Sequence, residues 1–278
     1  MSRGRIRPAD TTRRAGWSHP RVPKSQPGEL RACAYRGFRR LHALVRSQGL
    51  RIATDAGSLA AARTAGPTAL VAAEGADFLE GDAAYLDPAY TLGRLRHLQL
   101  THYRVNELGD IQTEAPIHGG LTPFGVEVVR RCQRMGIIVD VAHGTYDLVR
   151  QAVDVSTKPL VLSHTSLTSA PRPRTRMITS DHARLVAETG GVIGIWPPSN
   201  LFPSLEALAD GIARMADVVG VAHVGVGSDM MGLVVPSILP SYENLPELVA
   251  FLLRRFSPAE VTGIVGGNYM RVAKECLL

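Results

Sequence analysis

Short apolar runs alternate with amphipathic segments along most of this chain of 278 residues. Six of the runs have the length and composition of buried strands, and they cover residues 68–75, 95–102, 137–143, 159–164, 192–196 and 223–229. Elsewhere apolar positions recur every three or four residues, which predicts helices over residues 31–48, 121–136, 145–154, 179–191, 204–220, 243–256 and 257–275. Apolar strands that alternate with helices indicate a parallel sheet covered on both faces.

Signals at the helix ends agree with this pattern. Thr122 followed by Pro123 is typical of a helix start, because a Thr side chain caps free N–H groups and proline fits the first turn. Thr179 or Ser180 can cap another helix, and Gly190 is a typical stop. There is no internal repeat and no obvious linker. We therefore predict a basic, irregular N-terminal segment at 1–30 and one domain over 31–278.

Two architectures are built from such strand–helix units. A doubly wound sheet carries a G-x-G-x-x-G turn after an early strand, and this sequence has none there. In a barrel, active-site groups lie at the C-terminal ends of the strands. Five of the predicted strands end on groups of this kind, namely Glu74, His102, His143, His164 and Asp229. We expect an α/β protein with a (β/α)8 TIM-like barrel.

The strand-end residues also suggest a chemistry. Strand ends converge in a closed barrel, and imidazoles and carboxylates are costly to bury together unless they are paired or bind a cation. Two histidines with one glutamate are a ligand set for catalytic zinc, which leaves a position open for water and lowers the pKa of that water. A single strand-end histidine is usually structural. Three histidines with two acids favour a metal centre.

Composition excludes several other classes. The 45% of hydrophobic and 20% of charged residues fit a globular protein, and no run reaches the roughly 18 apolar residues of a membrane span. The basic N-terminus lacks the apolar stretch of a secretory signal, so we expect a cytoplasmic location. Three widely spaced cysteines imply no disulfide framework. The net charge of +6 comes without interleaved aromatic residues, so no nucleic-acid partner is expected.

Several longer motifs follow one another from about residue 31 to the C-terminus. They read ALVAAEGADFLEGD, LQLTHY, GLTPFGVEVVRRCQRMGIIVDVAH, LVLSHTS, RMITSDHARLVAETGGVIGI, HVGVGSD and GGNYMRV. In this order and spacing they resemble the membrane (renal) dipeptidase family of zinc metallopeptidases. The resemblance implies a barrel with a two-zinc centre that cleaves dipeptides, and some members of the family act on β-lactam or D-amino-acid substrates.

The resemblance also implies metal ligands. Glu74 matches the carboxylate that bridges the two metals of the family, and His143 and His164 match the two imidazoles that complete one of the metal sites. His102 matches the histidine that contacts the scissile carbonyl of the substrate or its tetrahedral oxyanion.

Two further residues receive roles in the same way. Arg176, in the stretch RMITSD, matches the arginine that binds the C-terminal carboxylate of the substrate, which suits the bidentate pairs that arginine makes. Asp229 matches the aspartate that handles the proton of the attacking water, a general acid/base role.

The sequence departs from the family pattern at two places. The His-x-Asp pair of the family's first strand, which supplies the other ligands of the second metal, occurs nowhere in this chain. GWSHPRVP (16–23) is faintly similar to the family's second strand, so we expect the chain to start after the first strand and to leave the barrel incomplete there. Met231 also replaces an acidic residue close to Asp229. We therefore expect one zinc site and reduced activity.

Three functions stay open at this point. The first is zinc-dependent hydrolysis of dipeptides, and the second is a catalytically impaired or single-metal relative of the dipeptidases, truncated or non-enzymatic. The third is a metal-dependent amidohydrolase with another small substrate. A homodimer is a further expectation from the resemblance. Asp140 could orient an imidazole or lie on the outer side of its strand, and the other histidines, including His97 and His182, are expected on the surface or packed against helices.

Overall fold

The computed structural model of the protein describes residues 25–170 and 173–278. The predicted irregular segment at 1–30 falls mostly on residues 1–24, which lie outside the described part, as does the whole of residues 16–23. The division into residues 1–30 and 31–278 therefore stays a prediction.

Eight short strands form two parallel sheets. A pair of strands, β1 and β2, stands apart from a six-stranded sheet whose order β3-β4-β5-β6-β7-β8 follows the chain. The strands are β1 Arg51–Ala53, β2 Thr68–Leu70, β3 Ala72–Glu74, β4 His97–Gln99, β5 Ile138–Asp140, β6 Val161–Thr165, β7 Val192–Ile195 and β8 Val224–Val226. A strictly sequential, parallel order is that of a (β/α) barrel, whereas a doubly wound sheet reverses its order partway.

Helices connect the strands and cover the outside of the sheet. They are α1 Glu29–Ser47, α2 Ala56–Ala65, α3 Leu86–Thr91, α4 Pro123–Met135, α5 Tyr146–Val155, α6 Ser180–Glu188, α7 Leu205–Val219, α8 Leu245–Leu252, α9 Pro258–Thr262 and α10 Asn268–Cys276. The predicted caps are confirmed, since the hydroxyl of Thr122 accepts from Gly125 N–H and that of Thr179 accepts from His182 N–H. Within the described residues, no helix is long and apolar enough to span a membrane.

The two edges of the sheet come close to one another. Residues of β3, including Ala72 and Glu74, line a cavity of about 310 Å³ together with Gly227 and Met230, which follow β8. The sheet therefore curls until its first and last strands flank the same space. Within the described residues, the hydrogen-bond ladder begins at β3 and ends at β8 without closing. The predicted α/β class with a TIM-like barrel arrangement is confirmed, whereas the expected gap at its N-terminal strand stays a prediction, because residues 1–24 lie outside the described part.

The far end of the sheet is closed by the C-terminal helix. Val272, Ala273 and Cys276 of α10 pack in one apolar cluster with Ala53 of β1 and with Ile138, Val161 and Val192 from three strands of the sheet. Because these three residues lie early in their strands, α10 covers the end opposite to the predicted ligands. This apolar floor leaves the C-terminal ends of the strands free for a site.

Several predicted elements differ from those of the structure. The predicted strand at 68–75 is interrupted at Val71, whose carbonyl accepts from both Arg96 N–H and His97 N–H, so its halves pair with different neighbours. β1 and α2 were not predicted. The last predicted helix divides into α9 and α10, which are joined by a π-helical turn at Gly263–Gly267.

Replacing glycine by alanine should have opposite effects on stability at two sites, because one glycine lies where strands approach closely and the other faces open space. A Cβ at Gly194 of β7 would collide with the carbonyl oxygen of Ser163 and with Cα of Gly227, whereas a Cβ at Gly37 of α1 would meet nothing within 4 Å. Gly194→Ala should lower the free energy of unfolding by about 1–3 kcal/mol or more. Gly37→Ala should raise it by about 0.5–1 kcal/mol. Urea denaturation tests both, and equal effects would contradict the packing at β7.

A buried histidine predicts how stability depends on pH. The ring of His182 of α6 lies 5.8 Å from the Tyr146 ring of α5 at an angle of 89°, and its Nε2 has no hydrogen-bond partner among the described residues. Burial lowers the pKa of His182 from 6.5 to about 4. Unfolding therefore takes up a proton when the pH lies between these two values. The contribution of neutral His182 to the free energy of unfolding is fully present above pH 6.5 and is lost as the pH falls toward 4.

His182→Phe should remove that loss while keeping the size of the ring. In the presence of a chelator, its free energy of unfolding should fall less than that of the wild type between pH 7 and pH 4.5, by up to about 2 kcal/mol. Denaturant titrations at the two pH values measure the difference. An identical pH slope for both proteins would show that His182 is not buried in its neutral form.

Candidate metal centre

Three elements carry the predicted metal ligands to one place. Glu74 is the last residue of β3 and His164 lies near the end of β6, while His143 stands three residues beyond the end of β5. Since all strands of the sheet are parallel, their C-terminal ends meet at the same edge. The sequence placed these residues at the strand ends, and the structure brings all three together.

The loop that carries His143 is held at both of its sides. The residue has a left-handed backbone with φ of 68°, which is uncommon for a residue other than glycine. Its carbonyl accepts from Gln112 N–H at 2.8 Å, and Thr145 caps the start of α5 two residues later. Such a conformation persists only where the surroundings determine it, and it is frequent at functional sites.

Three imidazole nitrogens surround one oxygen of Glu74. The distances from Glu74 Oε1 are 3.1 Å to Nε2 of His102, 3.5 Å to Nε2 of His143 and 3.6 Å to Nε2 of His164. The Nε2 atoms of His143 and His164 are 3.1 Å apart, and Nδ1 of His164 lies 2.8 Å from the hydroxyl of Ser163. The Nδ1 contact leaves Nε2 of His164 as the atom that faces the site.

The electrostatics favour neutral imidazoles beside a charged carboxylate. Burial lowers the pKa of His143 to about 4, although the hydrogen bond with Glu74 opposes this shift. Burial and the nearby Arg176 guanidinium also lower the pKa of His164. Burial would raise the pKa of Glu74, but hydrogen bonds from His102 and His143 outweigh it and hold that pKa well below its usual range. At neutral pH the group is therefore two neutral imidazoles and a charged carboxylate, the protonation state that metal ligands need.

These separations fit a small divalent cation. The ligand atoms of Glu74, His143 and His164 all lie within 4.8 Å of one another. Tetrahedral ligands about 2.0–2.2 Å from one ion lie roughly 3.3–3.6 Å apart, close to the distances observed here. Nitrogen and carboxylate donors in this ratio are typical of zinc. The residues thus fit the cofactor that the sequence implied.

His102 approaches the same oxygen of Glu74 from the loop after β4. It follows β4 by three residues, and its ring lies 4.6 Å from the ring of His143 at an angle of 81°. Tyr103, which is 67% exposed, lies against the same imidazole at 3.7 Å between centroids. His102 therefore links the Glu74 carboxylate to an exposed tyrosine, while its own side chain is 15% exposed.

Arg176 approaches the site from the loop after β6. Its Nη1 donates to the side-chain oxygen of Gln112 at 3.3 Å, and its guanidinium lies 5.5 Å from the ring of Trp196 at the end of β7. Its Nη2 is buried without a hydrogen-bond partner among the described residues. Burial lowers the pKa of Arg176 to about 10, so the group stays charged at neutral pH. A buried cation with a free N–H is suited to an anionic ligand.

Asp229 lines the same cavity as Glu74 and His164. It stands three residues beyond β8 with a left-handed φ of 44°. Burial raises the pKa of this carboxyl, and the nearby His164 and Arg176 oppose the shift. A carboxyl with a raised pKa can exchange a proton closer to neutral pH than an exposed aspartate can.

The sequence analysis missed part of the surroundings. Gln112 lies in a long loop with no pattern to mark it, whereas Trp196 carries a signal that could have been used, because it ends a predicted strand as the ligands do. His97 was expected at the surface or against a helix, and it packs against α10, where its ring is nearly parallel to that of Tyr269. It lies on β4 and faces the interior, where its Nε2 is 3.0 Å from Oδ2 of Asp140. Asp140 therefore orients an imidazole, one of the two alternatives, although the imidazole is His97.

The fold and the site together define an α/β protein of the barrel type with a candidate metal centre at its strand ends. The model of the family described as membrane dipeptidase, peptidase family M19, matches residues 23–277. This match covers most of the chain, and the protein belongs to the membrane dipeptidase family. The predicted family resemblance is confirmed.

Curated relatives agree with this assignment. Dipeptidase aclJ of Aspergillus oryzae is 33% identical over 219 residues, which are 74% of this chain and 50% of the relative. Dipeptidase tcpJ of Claviceps purpurea is 34% identical over 218 residues, again 74% of this chain and 50% of the relative. The chain thus spans about half the length of these curated relatives.

Solved structures show the same fold at low sequence identity. A probable dipeptidase, PvdM, from Pseudomonas aeruginosa superposes with a TM-score of 0.79 at 20% identity, covering 90% of this chain and 81% of that one. A metallo peptidase from Rhodobacter sphaeroides, liganded with a phosphinate mimic of the dipeptide L-Ala-D-Ala, has a TM-score of 0.77 at 21% identity. That alignment covers 88% of this chain and 74% of the bacterial one.

The arrangement predicts that zinc binding depends on the two imidazoles. Elemental analysis of the purified protein should find about one zinc per chain, and His143→Ala and His164→Ala should each lose most of it, because two protein ligands hold a zinc ion poorly. His118→Ala, which changes an exposed histidine away from the ligands, is the matched control and should keep the metal. Full zinc content in both site variants would refute this ligand set.

Proposed function

We propose that the protein hydrolyses the peptide bond of dipeptides at a zinc centre formed by Glu74, His143 and His164. The observation that carries the proposal is the convergence of imidazole nitrogens on one Glu74 oxygen beside a buried arginine with a free N–H. Family membership and the dipeptidase names of the relatives support it. When bound, zinc supplies a Lewis acid and lowers the pKa of water.

In this proposal the residues of the chain divide the remaining work. Arg176 binds the C-terminal carboxylate of the dipeptide, since its unpaired Nη2 can donate to an anionic oxygen. His102, whose Nε2 lies 3.1 Å from Glu74 Oε1, donates to the scissile carbonyl as negative charge develops on the carbonyl oxygen. Asp229 takes the proton of the attacking water and delivers it to the leaving amine, a role that its raised pKa favours.

The number of metal ions distinguishes two versions of this proposal. Within the described residues, a single group of at least three candidate ligands lies close enough to hold an ion. We propose one zinc per chain and a turnover below that of a two-zinc dipeptidase, because one cation stabilises less of the charge that develops in the reaction. The cytoplasmic location, the homodimer and the lack of a nucleic-acid partner stay predictions from the sequence.

Arg176 offers a test that separates substrate binding from metal binding. Arg176→Ala should lower kcat/KM for dipeptides. The decrease should correspond to a loss of about 2–4 kcal/mol of transition-state stabilisation, the scale of losing one partner of a buried charged pair. Zinc content should stay unchanged. Arg184→Ala is a matched control, because Arg184 is 52% exposed and pairs with Asp181 on the surface of α6.

Two outcomes would count against the proposal. Normal hydrolysis by Arg176→Ala would mean that this guanidinium does not bind the substrate. A zinc-loaded wild type that cleaves amides of other small molecules, and no dipeptide, would favour the amidohydrolase alternative.

A further inference from the structure

A chain of polar contacts runs through the interior of the sheet below the candidate metal centre. The hydroxyl of Tyr269, on α10, lies 2.8 Å from Nδ1 of His97, and Nε2 of His97 lies 3.0 Å from Oδ2 of Asp140. The rings of His97 and Tyr269 are nearly parallel, at 19°. Asp140 is 2% exposed and His97 is 8% exposed, so these contacts replace those that water would make.

The second oxygen of Asp140 joins two strands. Oδ1 accepts from the backbone N–H of Ala142 at 2.9 Å and from that of Ser163 at 3.1 Å. Ala142 immediately precedes His143, and Ser163 immediately precedes His164. One carboxylate oxygen thus holds the backbone directly before both candidate ligands.

Backbone pairing between β5 and β6 stops before the two candidate ligands. The register of β5 with β6 consists of the pair Asp140 and Val161, and the N–H of Val141 donates to the carbonyl of Val161. Beyond this point, within the described residues, no ladder bond joins the two segments that carry His143 and His164. The side chain of Asp140 takes over where the backbone pairing stops.

The contact of Ser163 extends the network to a ligand atom. Its hydroxyl lies 2.8 Å from Nδ1 of His164, and its N–H is the group that Asp140 holds. A partner on Nδ1 fixes both the orientation of an imidazole and the nitrogen that is free to bind a metal.

We propose that Asp140 is a positioning residue that sets the separation of His143 and His164, and that His97 and Tyr269 hold its carboxylate in place. The C-terminal helix α10 is thereby coupled to the metal centre, although it lies at the opposite end of the sheet. This inference rests on the proposed zinc centre and adds residues that are not among its proposed ligands.

The test compares two variants with a matched control. Asp140→Asn keeps the size of the side chain and removes its charge, and Tyr269→Phe removes the hydroxyl at the far end of the network. Tyr35→Phe is the control, because its hydroxyl also makes one hydrogen bond, to the Tyr85 carbonyl at 3.0 Å, away from the site. Each protein is measured for zinc affinity by chelator competition, for the visible spectrum of its cobalt form and for the Tm of its metal-free form.

Asp140→Asn should weaken zinc affinity about 10–100-fold, the usual effect of losing a group that orients a ligand. Tyr269→Phe should weaken it about fivefold, the scale of one hydrogen bond. Both should shift the cobalt spectrum, because the ligand geometry changes, while Tyr35→Phe should change neither quantity. If Asp140→Asn does not fold, Tyr269→Phe decides the question alone.

Unchanged zinc affinity and an unchanged cobalt spectrum, together with a lower Tm of the metal-free form, would overturn the proposal and leave the network a purely structural role. A wild type that binds zinc but cleaves no dipeptide would contradict the proposed function alone, since the zinc measurements still test Asp140. A wild type that binds no zinc would overturn both.

Discussion

The convergence of three imidazole nitrogens on a single oxygen of Glu74 is the interaction on which the site depends. It requires that β3, β4, β5 and β6 end at the same edge, and the parallel, sequential sheet meets this requirement. Metal binding at this place also requires neutral imidazoles, and burial favours them by lowering the pKa of His143 and of His164. The apolar floor built from α10 and the early strand residues allows this concentration of polar groups at the other end.

The sequence predicted the fold because the strands of a covered parallel sheet are apolar on both faces. Runs such as residues 137–143 stand out from amphipathic helices, and caps such as Thr122 mark where helices begin. The predicted strands ran too long by about three residues at the C-terminal ends of β4, β5 and β8. His102, His143 and Asp229 therefore lie in loops, where two of them adopt a left-handed backbone that no extended strand allows.

The residues that support the site were harder to predict, for reasons that are physical. His97, Asp140 and Ser163 face the interior of the sheet, and a polar residue within an apolar run can belong to either face until the register of its strand is known. Their partners are distant in the chain, since Tyr269 lies 172 residues from His97. Gln112 comes from a long loop whose path depends on contacts with the backbone of His143. Such contacts are properties of the folded chain.

Charge balance connects the supporting residues to the metal. The negative charges of Glu74, Asp140 and Asp229 raise the pKa of His164, whereas the positive charge of Arg176 lowers it. Three negative charges against one positive charge leave an excess of two negative charges when the carboxyls are ionised and the imidazoles are neutral. Burial raises the pKa of Asp229, and the negative charge of Glu74 raises it further. A divalent cation is complementary to this excess, so Asp140 favours the metal through its charge as well as through the backbone that it holds.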